Sequence, residues 1–142
     1  MSFLIALFAS ATAFLLLDQL SKSLVESHIG DHNISLGPLL QLKHVASSRR
    51  LYARNGARLI FAAIWVAAFA STIVLYQLQP TFRNPTVVIA IGAALGGAAG
   101  NLIDVMRRRS VSDFIDFRFW PTFNLADAAI VCGLIVAFWP AR

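Results

Sequence analysis

Four apolar runs, Phe3–Leu17, Leu59–Leu78, Pro85–Ile103 and Leu125–Ala141, alternate along the chain with segments that collect nearly all of its charge. A membrane-spanning helix needs about 20 residues, and with modest extension each run approaches that length. The pattern predicts an all-α membrane protein of four transmembrane helices, near residues 2–24, 58–78, 85–104 and 123–140, in one integral membrane domain over residues 1–142. No basic residue precedes the first run and Lys22 follows it, so it lacks the charged start of a cleavable signal peptide and is expected to stay as helix one. An even number of spans places the polar segments Ser21–Arg58 and Asp104–Pro121 on one side, and the Gln79–Asn84 turn with both termini on the other. Within the first polar segment, Ile34, Leu36, Leu39, Leu40 and Leu42 surround Gly37 and Pro38, which predicts a turn between short strands and a small lid at the interface. Within the second, Asp113, Ile115, Phe117 and Phe119 alternate with Phe114, Asp116, Arg118 and Trp120, the two-residue period of a strand or extended interfacial loop. Phe119 and Trp120 suit the headgroup boundary.

Composition agrees with this pattern. The chain is 58% hydrophobic and 13% charged, far from the roughly 45–50% and 25% of soluble domains. Its net charge of +5 does not point to nucleic acid, because ten of the twelve Lys and Arg fall within Lys22–Arg58 or Arg107–Arg118, at helix ends where anionic lipid would meet them. The single cysteine, Cys132, excludes an intrachain disulfide and is expected to be a small packing residue of helix four. His28, His32 and His44 lack zinc-type spacing, so neither a metal nor another cofactor is expected.

Candidate chemistry lies with the aspartates. A full fourth span has to begin near Thr122, which holds the Asp127 carboxyl about a turn inside the membrane, and intramembrane carboxyls usually serve function. Asp113 lies beyond a short aromatic segment and can be brought beside Asp127 where the chain re-enters the bilayer. Two aspartates at one membrane edge suggest an aspartyl hydrolase. Asn124 and Asp127 also have the spacing of a helix-capping pair, which is compatible with that role. Gly92, Gly96 and Gly100, with Gly97 beside them, form a small-residue packing face on helix three, expected to hold Asn101 and Asp104 near helix four. Asp18 and Lys22, four apart at the end of helix one, read either as an exposed ion pair of a few tenths of a kcal/mol or as an anchor for the lid. Asp104 sits unfavourably near the end of helix three unless Arg107 or Arg108 pairs with it.

The blocks Gly96-Gly97-Ala98-Ala99-Gly100-Asn101-Leu102-Ile103-Asp104, Val111-Ser112-Asp113-Phe114-Ile115-Asp116-Phe117 and Phe123-Asn124-Leu125-Ala126-Asp127 resemble, in order, those of signal peptidase II, the bacterial lipoprotein signal peptidase family. Asp18-Gln19-Leu20-Ser21-Lys22 resembles that family's motif at the end of its first helix. The resemblance implies a monomeric, metal-independent aspartyl endopeptidase of the bacterial inner membrane. It would remove signal peptides from prolipoproteins whose cysteine carries a diacylglyceryl group, at a site facing the extracytoplasmic side. Asp113 and Asp127 would be the catalytic pair, with Asn101, Asp104, Asn124, Asp18 and Lys22 as positioning or structural support. The sequence departs from the family where an Asn-x-Gly block is replaced by His44-Val45-Ala46-Ser47-Ser48-Arg49-Arg50-Leu51-Tyr52, and where Val105 follows Asp104 in place of arginine. Those departures leave two alternatives: a related aspartyl protease of another membrane-anchored substrate, or a catalytically silent protein that binds lipidated peptides. The basic residues on the proposed outer face also run against the positive-inside tendency.

Overall fold

The computed structural model describes residues 3–29, 33–47 and 56–139, with the backbone alone for residues 44–47. Four α-helices, α1 (Phe3–His28), α2 (Ala57–Leu78), α3 (Pro85–Arg108) and α4 (Leu125–Phe138), are joined by three strands, β1 (Ile34–Ser35), β2 (Gln41–Ser47) and β3 (Val111–Asp116), and by a short 3-10 turn at Pro80–Arg83. The first three helices are long and apolar enough to cross a membrane. At 14 residues, α4 is not; it rises about 21 Å, short of a 30 Å hydrocarbon core. It starts at Leu125 rather than at 123 because the Asn124 side chain accepts the Asp127 N–H and ends the extended chain there. Asp127 therefore stands in the first turn, not a turn deeper as the run length suggested.

Helix α3 is the axis of the bundle, and most of its residues between Val87 and Gly97 are buried. A Cβ at Gly96 would run into the Ala11 backbone of α1, one at Gly92 would lie 2.7 Å from Leu7 O, and one at Gly100 would strike the Asp18 carboxylate. The four-residue glycine row thus faces helix one; Asn101 lies against helix four as expected, while Asp104 meets Lys22 of helix one. Gly97 alone of the row's neighbours turns toward α4, where a Cβ would come within 2.6 Å of Ala126 O. With no side chains between them, the backbones come close enough for dispersion contacts that a lipid-facing leucine could not supply. Polar side chains add specific ties: Ser10 Oγ donates to Ile89 O at 2.7 Å and Trp65 Nε1 donates to Leu95 O at 3.0 Å. Large apolar side chains instead point outward, among them Leu16 and Leu20 of α1, Leu59 and Ile64 of α2, and Leu134 and Ile135 of α4. Such exposure is costly in water and neutral in lipid. Cys132 belongs to this outer face; it is exposed, not a packing residue.

Two helices run a turn beyond their predicted ends. Helix α1 continues to His28, and α3 continues to Arg108, where Arg109 takes a left-handed conformation (φ 56°) and its N–H closes on Val105 O at 3.2 Å. Both polar segments then enter one antiparallel sheet of order β1-β2-β3, with Ile34 opposite Leu42, Gln41 opposite Asp116 and Val45 opposite Asp113. The turn expected around Gly37 and Pro38 lies between β1 and β2, with Gly37 at φ 136°. The strand expected around Asp113 is β3, although its alternation does not divide a wet face from a dry one. Nearly every β3 residue is buried, since β2 flanks it and α1 and α3 pack against it. Phe119 and Trp120, beyond its end, are exposed. The Ser48–Tyr52 part of the divergent block lies outside the described residues.

Candidate active site

The chain leaves β3 and returns to it within a few residues. Arg118, at φ 61°, turns the chain while its N–H donates to Asp116 Oδ1 at 2.8 Å. Ile115 and Phe123 then exchange backbone hydrogen bonds of 2.9 and 3.0 Å. This bridge delivers Asn124 next to Asp113, eleven residues before it in the chain. Asn124 is fully buried and serves as a hub. Its Oδ1 accepts the Asp127 N–H at 3.0 Å, and its own N–H donates to Asp127 Oδ2 at 3.2 Å, completing a reciprocal capping box. Its Nδ2 donates to Asp113 Oδ1 at 3.0 Å and to Asn101 Oδ1 at 3.1 Å. Asn101 Nδ2 in turn donates to Asp127 Oδ1 at 2.8 Å. The two aspartates are therefore joined through the side-chain amides of Asn124 and Asn101. Asp113 is buried, whereas Asp127 is partly open.

Beneath this layer lies a buried ionic group. Lys22 Nζ donates to Asp18 Oδ2 at 2.7 Å and to Asn101 Oδ1 at 3.0 Å, and forms an ion pair with Asp104 Oδ2 at 2.7 Å, an oxygen that has no hydrogen-bond partner among the described residues. Asp18 Oδ1 accepts the Ala126 N–H of the first turn of α4 at 3.0 Å. Asp18 is wholly buried and Lys22 nearly so, which rules out the exposed-pair reading of these residues. The expectation for Asp104 is also corrected: its partner is Lys22, and Arg108 pairs with Glu26 at 2.7 Å instead. Depth along the helix decides this: Asp104 is still buried within the bundle beside Lys22, whereas residues 106–108 at the end of α3 are exposed.

Gln19 belongs to the same group and was not singled out from sequence. Its Nε2 lies 3.3 Å from Asp18 Oδ2, Gly100 O and Asp104 Oδ1, linking α1 to α3. The available signal was a primary amide inside an apolar helix, between Asp18 and Lys22. Among the described residues no group of three or more His, Cys, Asp or Glu is placed to hold a metal; His28 bonds locally to Ser27 and Leu24. His32 lies outside the described residues.

The sheet edge carries one more buried carboxylate. Asp116 receives Lys43 Nζ at 2.6 Å and Gln41 Nε2 at 3.1 Å, tying β3 to β2. The Lys43 ammonium, together with the Arg118 N–H, holds this carboxyl below the usual carboxylate range. A carboxyl that ionises more readily folded than unfolded stabilises the fold fully above its unfolded pKa of about 4 and loses that contribution as pH falls through the folded value. Protection factors of backbone amides in β2 and β3, taken against the intrinsic exchange rate at each pH, should fall on acidification from about pH 5 to about pH 3. In Asp116→Asn the exchange should be faster at pH 5 and the acid response smaller. An unchanged response in that variant would assign it to another carboxyl.

Residues 10–141 match the family model described as signal peptidase (SPase) II. A lipoprotein signal peptidase of Pelotomaculum thermopropionicum is 34% identical over 137 residues, covering 94% of this chain and 89% of that protein. Another, of Moorella thermoacetica, is 35% identical over 133 residues, covering 91% of this chain and 87% of its own. A bacterial membrane enzyme solved by the in meso method superposes with a TM-score of 0.78 over 96% of this chain and 94% of that one. At 21% identity that likeness shows the fold.

Proposed function

The chain belongs to the signal peptidase II family and carries the lipoprotein signal peptidase function of its relatives, and from that premise we propose that Asp113 and Asp127 are its catalytic aspartates. The observation that carries this reading is the amide bridge. Asn124 and Asn101 hold both carboxyls in one hydrogen-bonded set at the start of α4, with Asp127 partly open and its partner buried. Two carboxyls in one such site do not readily ionise together and share a proton. In peptide hydrolysis the ionised carboxylate takes a proton from water as the new C–O bond forms, and the protonated one donates toward the scissile carbonyl oxygen. Collapse of the tetrahedral intermediate breaks the C–N bond, and the first carboxyl returns its proton to the leaving amine. The substrate is a diacylglyceryl prolipoprotein, and its release of signal peptide, followed on purified enzyme in lipid, is the direct test. Absence of cleavage by enzyme folded in lipid would favour the lipopeptide-binding alternative.

The same reading takes all four helices as spans of a single monomeric domain over residues 1–142 of the bacterial inner membrane. α4 would complete its crossing with the flanking apolar residues on either side. The sheet and Asp113 would face the extracytoplasmic side, where a translocated prolipoprotein presents its lipidated cysteine, with the exposed arginines near anionic headgroups. With Cys132 replaced by serine, a single cysteine at Ser110 should react with an impermeant thiol reagent in intact cells, and one at Gln79 should not. The reverse pattern would put the aspartates on the cytoplasmic side, in keeping with the positive-inside tendency, and would overturn this orientation.

A further inference from the structure

The two oxygens of Asp116 hold different parts of the chain. Oδ2 receives Lys43 Nζ at 2.6 Å and Gln41 Nε2 at 3.1 Å, both from β2. Oδ1 receives the Arg118 N–H, two residues on, at 2.8 Å, in the manner of an Asx turn. Arg118 stands at φ 61°, a left-handed conformation that is costly for a residue with a Cβ, and its side chain is exposed. The Asp116 carboxylate therefore supplies a local force that keeps the turn closed. The turn belongs to the loop that Ile115 and Phe123 close by exchanging backbone hydrogen bonds of 2.9 and 3.0 Å. Inside that loop the Phe117 and Phe123 rings stack with their centroids 5.7 Å apart. The next residue is Asn124, whose Nδ2 meets Asp113 Oδ1 at 3.0 Å. Asp113 is placed by β3, where it pairs with Val45, whereas Asn124 is placed by the returning loop. How the two meet depends on how the loop closes.

From this geometry we infer that Asp116 is a positioning residue for the reaction: through Oδ1 it closes the Arg118 turn and so sets where Asn124 stands against Asp113, apart from its tie to β2 through Oδ2. The inference rests on the catalytic reading of Asp113 and Asp127, and adds the residue that aligns the amide between them. Asn124 also reaches Asn101 and Asp127, so a displaced loop would disturb the whole hydrogen-bonded set.

Two readouts test this: kcat per folded molecule for cleavage of a diacylglyceryl prolipoprotein in lipid, and hydrogen-exchange protection of the Phe123 amide, which donates to Ile115 O across the bridge. Asp116→Ala should lower kcat by about 10–100-fold, the scale of a catalytic group displaced by about an ångström, and should lower protection at Phe123. Glycine takes positive φ without strain, so with Arg118→Gly already in place the same Asp116→Ala change should cost less than about threefold in kcat, although the ties to β2 stay broken. Lys43→Met breaks the Oδ2 ion pair and leaves the Arg118 bond; it should keep kcat within about twofold, since a partly exposed pair contributes little, and leave Phe123 protected. An unchanged kcat or an unchanged Phe123 amide in Asp116→Ala would overturn the inference. Equal losses with and without Arg118→Gly would make the carboxylate only a brace for the sheet, and a loss in Lys43→Met as large as in Asp116→Ala would do the same. If Asp116→Ala does not fold, Arg118→Ile decides, because a β-branched side chain opposes positive φ while both Asp116 ties to β2 remain. It should lower kcat and Phe123 protection together, and normal values of both would overturn the inference. Failure of the catalytic reading looks different: Asp113→Asn or Asp127→Asn would then retain turnover, while the Phe123 amide still responded to the Asp116 variants.

Discussion

Asp127→Asn and Asp113→Asn should each lower kcat for prolipoprotein cleavage by at least about 10³-fold, the scale set by loss of a positioned general acid or base. Each should still give an inserted, folded protein. In Asp127→Asn the side-chain oxygen can keep one of the two donors that Asp127 now receives, and the Asn124 side chain still caps α4 through the Asp127 backbone N–H. In Asp113→Asn the amide oxygen can still accept from Asn124 Nδ2. Stability should therefore fall by about 1 kcal/mol, the worth of an ordinary hydrogen bond. Turnover is read with purified variants in lipid, and folding by thermal unfolding of the same samples. Near-normal cleavage by either variant would remove that residue from the catalytic pair.

Asp18→Ala should produce the largest loss of stability. The change takes the carboxylate from a wholly buried ion pair with Lys22 and leaves the Ala126 N–H at the first turn of α4 without its acceptor. Lys22 keeps Asp104 and Asn101 as partners, so the loss comes chiefly from the buried Ala126 N–H left without an acceptor, about 1–3 kcal/mol, together with the missing bond to the ammonium. Gly100 packs directly on this carboxylate, so the substitution also opens a void between α1 and α3. Activity should fall with the folded fraction. A stability change under about 1 kcal/mol would mean that the pair is solvated and behaves as a surface salt bridge.

What could be read from the sequence was what depends on neighbouring residues. Run length and apolarity predicted four spans, of which three helices are long and apolar enough to cross a membrane, and two of those run about a turn past their predicted ends because residues such as Ser21 and Ser27 continue a helix beyond its lipid-facing part. The Asn124 and Asp127 spacing predicted the cap, since a capping box closes within one turn. Gly37, Pro38 and the two-residue alternation predicted strands, since turn preference and pleat are local. Asp113 and Asp127 were recognisable as candidates because carboxyls at a membrane edge are costly without a purpose.

Contacts between distant residues needed the tertiary structure. Asp104 chose Lys22 over the nearby arginines because it lies within the packed bundle, whereas Arg107 and Arg108 lie at the exposed end of α3, where Arg108 meets Glu26. Which helix the glycine row meets was decided by the rotation of α3: Gly92, Gly96 and Gly100 meet α1, and Gly97, one residue on from Gly96, meets α4. Gln19 gained its place only when α1 and α3 came together, and Asn124 reached Asp113 only through the bridge between Ile115 and Phe123. Local sequence determined which helices and strands form and which side chains can do chemistry. Helix rotation and strand register, fixed by packing between segments far apart in the chain, decided which of those side chains meet.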